Sequence, residues 1–253
     1  MPGARGNFEI AVLPGDGIGV EVIDATIPVL EQALRGSGLA LAFQTHPAGA
    51  LHYKATGEAL PEATFEAARG ADAILLGAMG WPEIRYPDGT EIGPQLDLRF
   101  KLELYAGVRP ARAVPGIPLP LADPRAAALD LVLVRESTEG LFASRGKGTL
   151  EGDREARDTM VITRKGSERV HEFAFRLAER RKSRGRPGRV TCVDKANVFL
   201  SMAFFRRIFE EVAAAERIER AVDAAFASGR LRPFEFGGRD GTSSIRDAVL
   251  SNL

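Results

Sequence analysis

The hydrophobic pattern opens with FEIAVL at residues 8–13. This run is mostly apolar and predicts a strand covered on both faces. Three glycines follow at 15, 17 and 19. From Val20 to about Leu34, Val20, Ile23, Ile27, Val29, Leu30 and Leu34 recur near helical spacing, and Gly36 can close the helix. Residues 39–45 read as a second strand, 61–69 as a short helix led by Pro61, and 72–77 as a third strand. That β-α-β-α-β order predicts a parallel sheet with helices on its faces.

Residues 78–97 are irregular around Trp81, and LRFKLELYAGVRPAR (98–112) reads as a helix ending near Gly107. Five prolines between 110 and 124 suggest a linker, 129–134 a strand, and 145–158 a charged arm or hairpin. Ser167 can cap a helix over 168–182. RVTCVD (189–194) reads as a strand entering a helix at Lys195. Residues 201–227 contain neither Gly nor Pro. They predict one helix of about 27 residues, where roughly 11 or 12 is usual, and that length asks for an explanation. FGGRDGTSS then forms a loop and IRDAVLSNL a final helix.

Composition narrows the function classes. The 253 residues carry 34 Lys+Arg against 34 Asp+Glu. With no net field, binding to nucleic acid or an anionic membrane is not expected. No apolar run approaches a membrane span, and MPGARGNFEI has no apolar targeting core. The single cysteine, Cys192, excludes an internal disulfide and fits a reducing, cytoplasmic setting.

The glycines invite comparison with a dinucleotide-binding fingerprint, G-x-G-x-x-G or Ala, with an acid closing the second strand. Val20 stands where the last small residue belongs, and the second strand ends Phe43-Gln44-Thr45-His46. The motif therefore reads as a tight turn feeding a helix. Arg99 and Arg109 flank one predicted helix, and Arg135 ends a predicted strand. Three arginine forks suit a di- or tricarboxylate; the same spacing also fits three solvated arginines. Lys195, at the positive end of a helix dipole, would have a lowered pKa and suit a general base; the alternative is a surface lysine lying along the sheet. Cys192 reads as a small core residue, and His46, His52 and His171 lack zinc spacing.

LPGDGIGVEV, LLGAMGWP, LRFKLELYAGVRPAR, VRESTEGLF, CVDKANVF and FGGRDGTSSIRDAV occur in this order. With these motifs the chain resembles the β-decarboxylating dehydrogenases, the family of isopropylmalate, isocitrate and tartrate dehydrogenases. The resemblance implies an α/β, non-Rossmann fold of the isopropylmalate dehydrogenase type, with parallel and mixed sheets in two subdomains. Residues 1–110 plus 216–253 would form the large, cofactor-side subdomain and 111–215 the small, dimerisation one. It implies oxidation of a 2-hydroxy acid by NAD or NADP with Mg2+ or Mn2+, usually with loss of a carboxylate, in a homodimer. Arg99, Arg109 and Arg135 match the family's substrate-carboxylate arginines and Lys195 its catalytic lysine. Ile18 and the stretch from Gly77 to Gly80 match segments near the nicotinamide.

Three departures qualify that picture. Phe142 follows Glu139-Gly140-Leu141 where the family carries a proton-donating tyrosine. The stretch Glu91–Leu96, which precedes the first arginine, fits neither the isocitrate nor the isopropylmalate pattern, leaving a small acid such as tartrate or malate as a candidate. FRRIFEEVA runs directly into AERIERAVDAAF. In the family these segments are separated by a stretch holding three metal-binding aspartates and a loop for the adenosine half of the cofactor. Residues 213–216 thus read as an internal deletion junction inside the overlong helix, where a kink or break would mark two formerly separate helices. The expectation is impaired dehydrogenase activity. A non-catalytic subunit paired with a full-length homologue and a carboxylate-binding fragment are the alternatives.

Overall fold

The computed structural model describes residues 6–229, 231–234 and 237–253. It divides into two compact units, one reaching Leu104 and the other Tyr105–Leu253.

In the first unit β1 (Asn7–Leu13) is the central strand, flanked in parallel by β2 (Ala40–Thr45) and β3 (Ala73–Leu76). The reason lies in its alternation. Ile10 and Val12 pack with Ile23 of helix α1 (Ile18–Ala33), whereas Ala11 and Leu13 pack with Ala68 and Leu98. Ala68 belongs to α3 (Glu62–Gly70) and Leu98 to α4 (Pro94–Lys101). A strand with helices over both faces must be apolar at every inward position, which is the pattern FEIAVL provides. Val12 and Leu13 are fully buried, each contributing about 1.5–3 kcal/mol of transfer free energy.

A further helix, α2 (Ala50–Thr56), is not foreseen in the sequence. Its N-terminal amides are satisfied by Asp16, 34 and 35 residues earlier, so no local capping residue announces it. The expected helix over 98–107 is also corrected. Helix α4 ends at Lys101, and Ala106–Arg112 is strand β4. Glu103, at a φ of 50°, breaks the helical course between them.

In the second unit β4 pairs antiparallel with β5 (Asp130–Glu136), aligning Gly107 with Arg135 and Arg109 with Leu133. Pro110 lies within β4, a position tolerated because β4 has one partner among the described residues. A hairpin of β6 (Thr149–Glu151) and β7 (Glu155–Arg157) matches the charged arm. Helix α5 (Arg164–Lys182) starts four residues before the expected 168. Thr163 caps it, accepting the Gly166 N–H at 3.0 Å, while Ser167 lies inside the helix and donates to the Thr163 carbonyl.

The strand expected at 189–194 is not formed, and the helix expected at Lys195 begins only at Leu200. Apolar alternation marks a strand only where a neighbour takes up its hydrogen bonds. Helix α6 (Leu200–Ala227) runs unbroken through 213–216, so no break marks the expected junction. VAAAERIERAV consists largely of strong helix formers, which leave no weak point to open. Helix α7 (Thr242–Leu250) packs on α6, so residues 216–253 lie with the second unit, whereas the sequence assigns them to the first. Phe236, within the expected FGGRDG loop, is outside the described residues. No helix among the described residues is long and apolar enough to cross a membrane.

Candidate functional site

The glycine turn is built around a carboxylate. Asp16 is buried, and its oxygens accept the N–H groups of Ala50, Leu51 and Gly80, each at 2.8 Å. Its own N–H donates to the Ala78 carbonyl. One side chain thus ties together the loops that leave β1, β2 and β3. The glycines are what let these loops approach. Gly15 has a φ of 78°, and a Cβ there would lie 2.1 Å from the Ala78 oxygen. At Gly77 a Cβ would lie 1.9 Å from the Pro14 oxygen, and at Gly49 it would strike the Asp16 carboxylate. Such contacts exclude any side chain.

This arrangement bears on the cofactor. A phosphate cradle requires free amides converging on an open concavity. Here the converging amides already hold Asp16, and the Gly19 and Val20 N–H groups bond back to Asp16 and Gly17. The residues present do not form a dinucleotide-phosphate cradle at this turn. Ile18 is 60% exposed at the start of α1, and Gly77 is locked against Pro14.

Arg99 occupies the last turn of α4, beside buried Leu98, and its carbonyl accepts the Leu104 N–H. In the second unit Gly107 stands opposite Arg135 and Arg109 opposite Leu133, so Arg109 and Arg135 are diagonal neighbours on one face of the ribbon. Both are exposed, as is Leu133 between them. The Arg135 guanidinium lies 5.0 Å over the Phe142 ring, which holds it in place without neutralising it. Among the described residues Arg99, Arg109 and Arg135 make no ion pair. Arg181 and Arg206, by contrast, are each fixed on a carboxylate.

The turn after Arg135 is held by its own acids. Glu136 accepts the N–H groups of Thr138 and Glu139, and Glu139 accepts that of Thr163. Arg169 donates to the Thr138 hydroxyl at 2.8 Å and covers the Tyr105 ring.

Lys195 is exposed in a turn whose carbonyl accepts the N–H groups of Val198 and Phe199. A helix dipole acts within its first turn, and α6 starts five residues later, so the dipole argument for Lys195 loses its geometric basis. What fixes this turn is Asp194, which sequence reasoning missed. Its side chain is 3% exposed and accepts from Arg206 Nε at 2.6 Å, the Ala196 N–H at 2.9 Å and Cys192 Sγ at 3.3 Å. Burial works against the charged carboxylate, but these donors outweigh it and hold its pKa below the ordinary range. Burial and the Asp194 carboxylate push the Cys192 thiol up to about 11, which makes it a poor nucleophile.

No group of three or more His, Cys, Asp or Glu residues placed to hold a metal occurs among the described residues. Asp240 instead accepts the Arg232 N–H, and Asp247 pairs with Arg246.

A model of the isocitrate/isopropylmalate dehydrogenase family matches residues 9–237. The 3-isopropylmalate/3-methylmalate dehydrogenase of Methanocaldococcus jannaschii is 43% identical over 206 residues, covering 81% of this chain and 56% of that protein. The tartrate dehydrogenase/decarboxylase of Pseudomonas putida is 37% identical over 98% of this chain and 69% of its own length. Among solved structures, isocitrate dehydrogenase from Methylococcus capsulatus matches with a TM-score of 0.66 at 33% identity, over 82% of this chain and 57% of that one. The chain therefore spans between about half and two thirds of the length of the relatives it matches. With its three-stranded parallel sheet, its antiparallel ribbon and these matches along most of its length, the chain belongs to the isocitrate/isopropylmalate dehydrogenase family of NAD(P)-dependent β-decarboxylating dehydrogenases.

Proposed function

We propose that this chain binds a 2-hydroxy di- or tricarboxylate through Arg99, Arg109, Arg135 and Lys195, and that its dehydrogenase activity is impaired. In the family, NAD(P) accepts the hydride and a divalent metal polarises the forming keto group. No step of that chemistry is assigned to this chain. What carries the reading is the combination of free charge and missing length. The three arginines are charged without ion-pair partners among the described residues, while the chain accounts for only 56% of the Methanocaldococcus enzyme. Phe142, in place of the family's tyrosine, has no proton to donate. Ile18 and Gly77 would border the nicotinamide end of any NAD or NADP that binds. We place the missing block near residues 213–216 on the adjacency of FRRIFEEVA and AERIERAVDAAF in the sequence, two segments that α6 joins without a break.

The test has two measurements on the purified chain. Calorimetry with malate, tartrate, isocitrate and isopropylmalate should detect binding. NAD or NADP reduction with Mg2+ or Mn2+ should be absent or feeble. Robust metal-dependent reduction with any of these acids would overturn the reading of impairment, and no binding of any acid would overturn the arginine assignment.

A second reading is favoured by a specific surface. Val193 is 85% and Leu200 89% exposed, and Val198 and Phe199 between them are also exposed. Contiguous apolar residues on a protein surface mark an interaction site. They flank Lys195, the residue that in the family reaches into a partner subunit. A homodimer, or a pairing with a full-length homologue in which this chain is a non-catalytic subunit, would cover them. Light scattering of the chain alone and after mixing with such a homologue distinguishes these, and a monomer under both conditions would refute the reading.

A further inference from the structure

A second cationic site lies in the same unit, at the opposite end of the β4–β5 ribbon from Arg135. Asp130 opens β5 and Arg112 closes β4, and the two are aligned across the ribbon. The end of α5 and the turn after it bring Arg181, Arg184 and Arg186 to the same place, around a cavity of about 290 Å3. Four guanidiniums thus surround one carboxylate.

That carboxylate is already engaged. Arg181 donates to Asp130 Oδ1 at 2.6 Å, and Arg186 lies 3.0 Å from Oδ2. Arg112 and Arg184 make no ion pair or side-chain hydrogen bond among the described residues. The Asp130 carboxyl is held below its ordinary range, by the Arg181 hydrogen bond first and by the charges of Arg181, Arg186 and Arg112 after it, although burial opposes this. Cations in a last helical turn complement the helix dipole, which accounts for Arg181. The dipole does not account for Arg112, which arrives from a strand, nor for three positive charges in excess of the one acid.

We propose that this cleft is a binding site for a small anion bearing two linked phosphoryl groups, gripped by Arg112 and Arg184 and backed by the Asp130-anchored Arg181 and Arg186. Guanidinium forks match phosphoryl oxygens two at a time, so two free forks call for at least two such groups. The excess of positive charge selects a multiply charged anion over a monoanion. The cavity lies at the small end of the range for ligand pockets, near 300 Å3, which suits a diphosphate better than a large organic body. Free pyrophosphate and the diphosphate of a nucleotide share this chemistry.

Calorimetry with sodium pyrophosphate and, separately, with ADP tests the site, without added metal and against sodium chloride of equal ionic strength. Pyrophosphate should bind, and Arg112→Ala/Arg184→Ala should weaken it by about tenfold or more. Arg112→Lys/Arg184→Lys keeps the charge but loses the fork, and should fall between. ADP binding tighter than pyrophosphate, with the same sensitivity to both variants, would point to a nucleotide. Equal affinities would point to the phosphoryl groups alone. Either outcome supports the site. Circular dichroism checks that the variants fold, and Arg184→Glu, in a turn outside the sheet, serves if the double variant does not. No binding of either anion at about 1 mM, or binding unchanged in Arg184→Glu and in the double alanine variant, would overturn the proposal.

Discussion

The Asp16 carboxylate accepts the Gly80 N–H at 2.8 Å although 64 residues separate them along the chain. The same group holds Ala50 and Leu51. Loops from three strands therefore share one buried carboxylate, and Gly15 and Gly19 leave room for the Ala78 backbone to approach beside it. Replacing Asp16 with Ala leaves three amides without their acceptor. Charge-assisted hydrogen bonds of this kind are worth more than neutral ones, so the expected loss is about 2–4 kcal/mol in urea unfolding. A loss near zero would mean that water replaces the carboxylate, and that the turn is not organised by it.

Close approach makes a second prediction. Gly77→Ala would put a Cβ 1.9 Å from the Pro14 oxygen, with backbone atoms on both sides and no flexible side chain to yield. The expected cost is about 3 kcal/mol, in the upper part of the range for overpacking. Gly70→Ala is the control, because nothing lies within 4 Å of its added Cβ. It should be neutral, or stabilising by about 0.4–1 kcal/mol through the unfolded state. Equal effects of the two substitutions would show that the β1 and β3 loops are free to separate.

These residues also mark what the sequence could convey. FEIAVL announces a doubly covered strand because burial on two faces demands continuous apolarity, and β1 meets that demand. The motifs announce the family because short segments persist in order. Helix α2 was illegible because its cap comes from Asp16, far away in the chain. The stretch 189–194 looked like a strand because apolar alternation records a preference, whereas a strand needs a neighbour. LELYAGVRPAR carried helical spacing across a point where Glu103 turns the backbone and β5 captures residues 106–112 as a strand. Asp194 was overlooked beside Lys195 because its role depends on Arg206, which helix α6 brings back to it.

His171 supplies a pH prediction. It is 5% exposed, packed against Phe205 and Phe209, with Nε2 3.3 Å from the Phe205 carbonyl oxygen. Burial pushes its pKa down, and the Phe205 carbonyl only partly opposes this. The folded pKa is therefore below the unfolded value of about 6.5. For a depressed pKa, the associated stability is fully present above the unfolded value and lost as pH falls through the folded one. Stability should thus decline below about pH 6.5, by at most about 1.4 kcal/mol per pH unit from this group. Urea unfolding at pH 7.5 and 5.5 should show the decline, and His171→Phe should reduce it. The same decline in the variant would assign the effect to other groups.

Arg206 and Asp194 give the last prediction. Arg206→Ala would leave the nearly inaccessible Asp194 carboxylate with only the Ala196 N–H and the Cys192 thiol. Removing one partner of a buried pair is costly because the other charge stays behind. A loss of stability is expected at pH 7, moderated because Arg206 is 43% exposed and water can partly take its place. Acid should relieve part of that loss. In the native chain the Asp194 carboxyl is held low, so its stabilisation is present above the unfolded pKa of about 3.9 and is lost as pH falls through the folded pKa. Without Arg206 burial is less opposed and the folded pKa rises. The folded variant then takes up a proton at a higher pH than the folded native chain, which favours the variant as pH falls. Urea titrations at pH 7 and 4 should therefore show a narrower gap between the variant and the native chain at the lower pH, and a gap that widens on acidification would contradict the pairing. Arg206→Lys keeps a charge but cannot place the same N–H, and should recover part of the loss. Arg206 meets the Lys195 turn through Asp194, so any effect it has on a bound acid would be that of a positioning residue. If Lys195 contacts the bound acid, carboxylate affinity should fall in Arg206→Ala and return in part in Arg206→Lys. An affinity that stays constant while stability drops would separate the ion pair from the site and leave it a structural clamp.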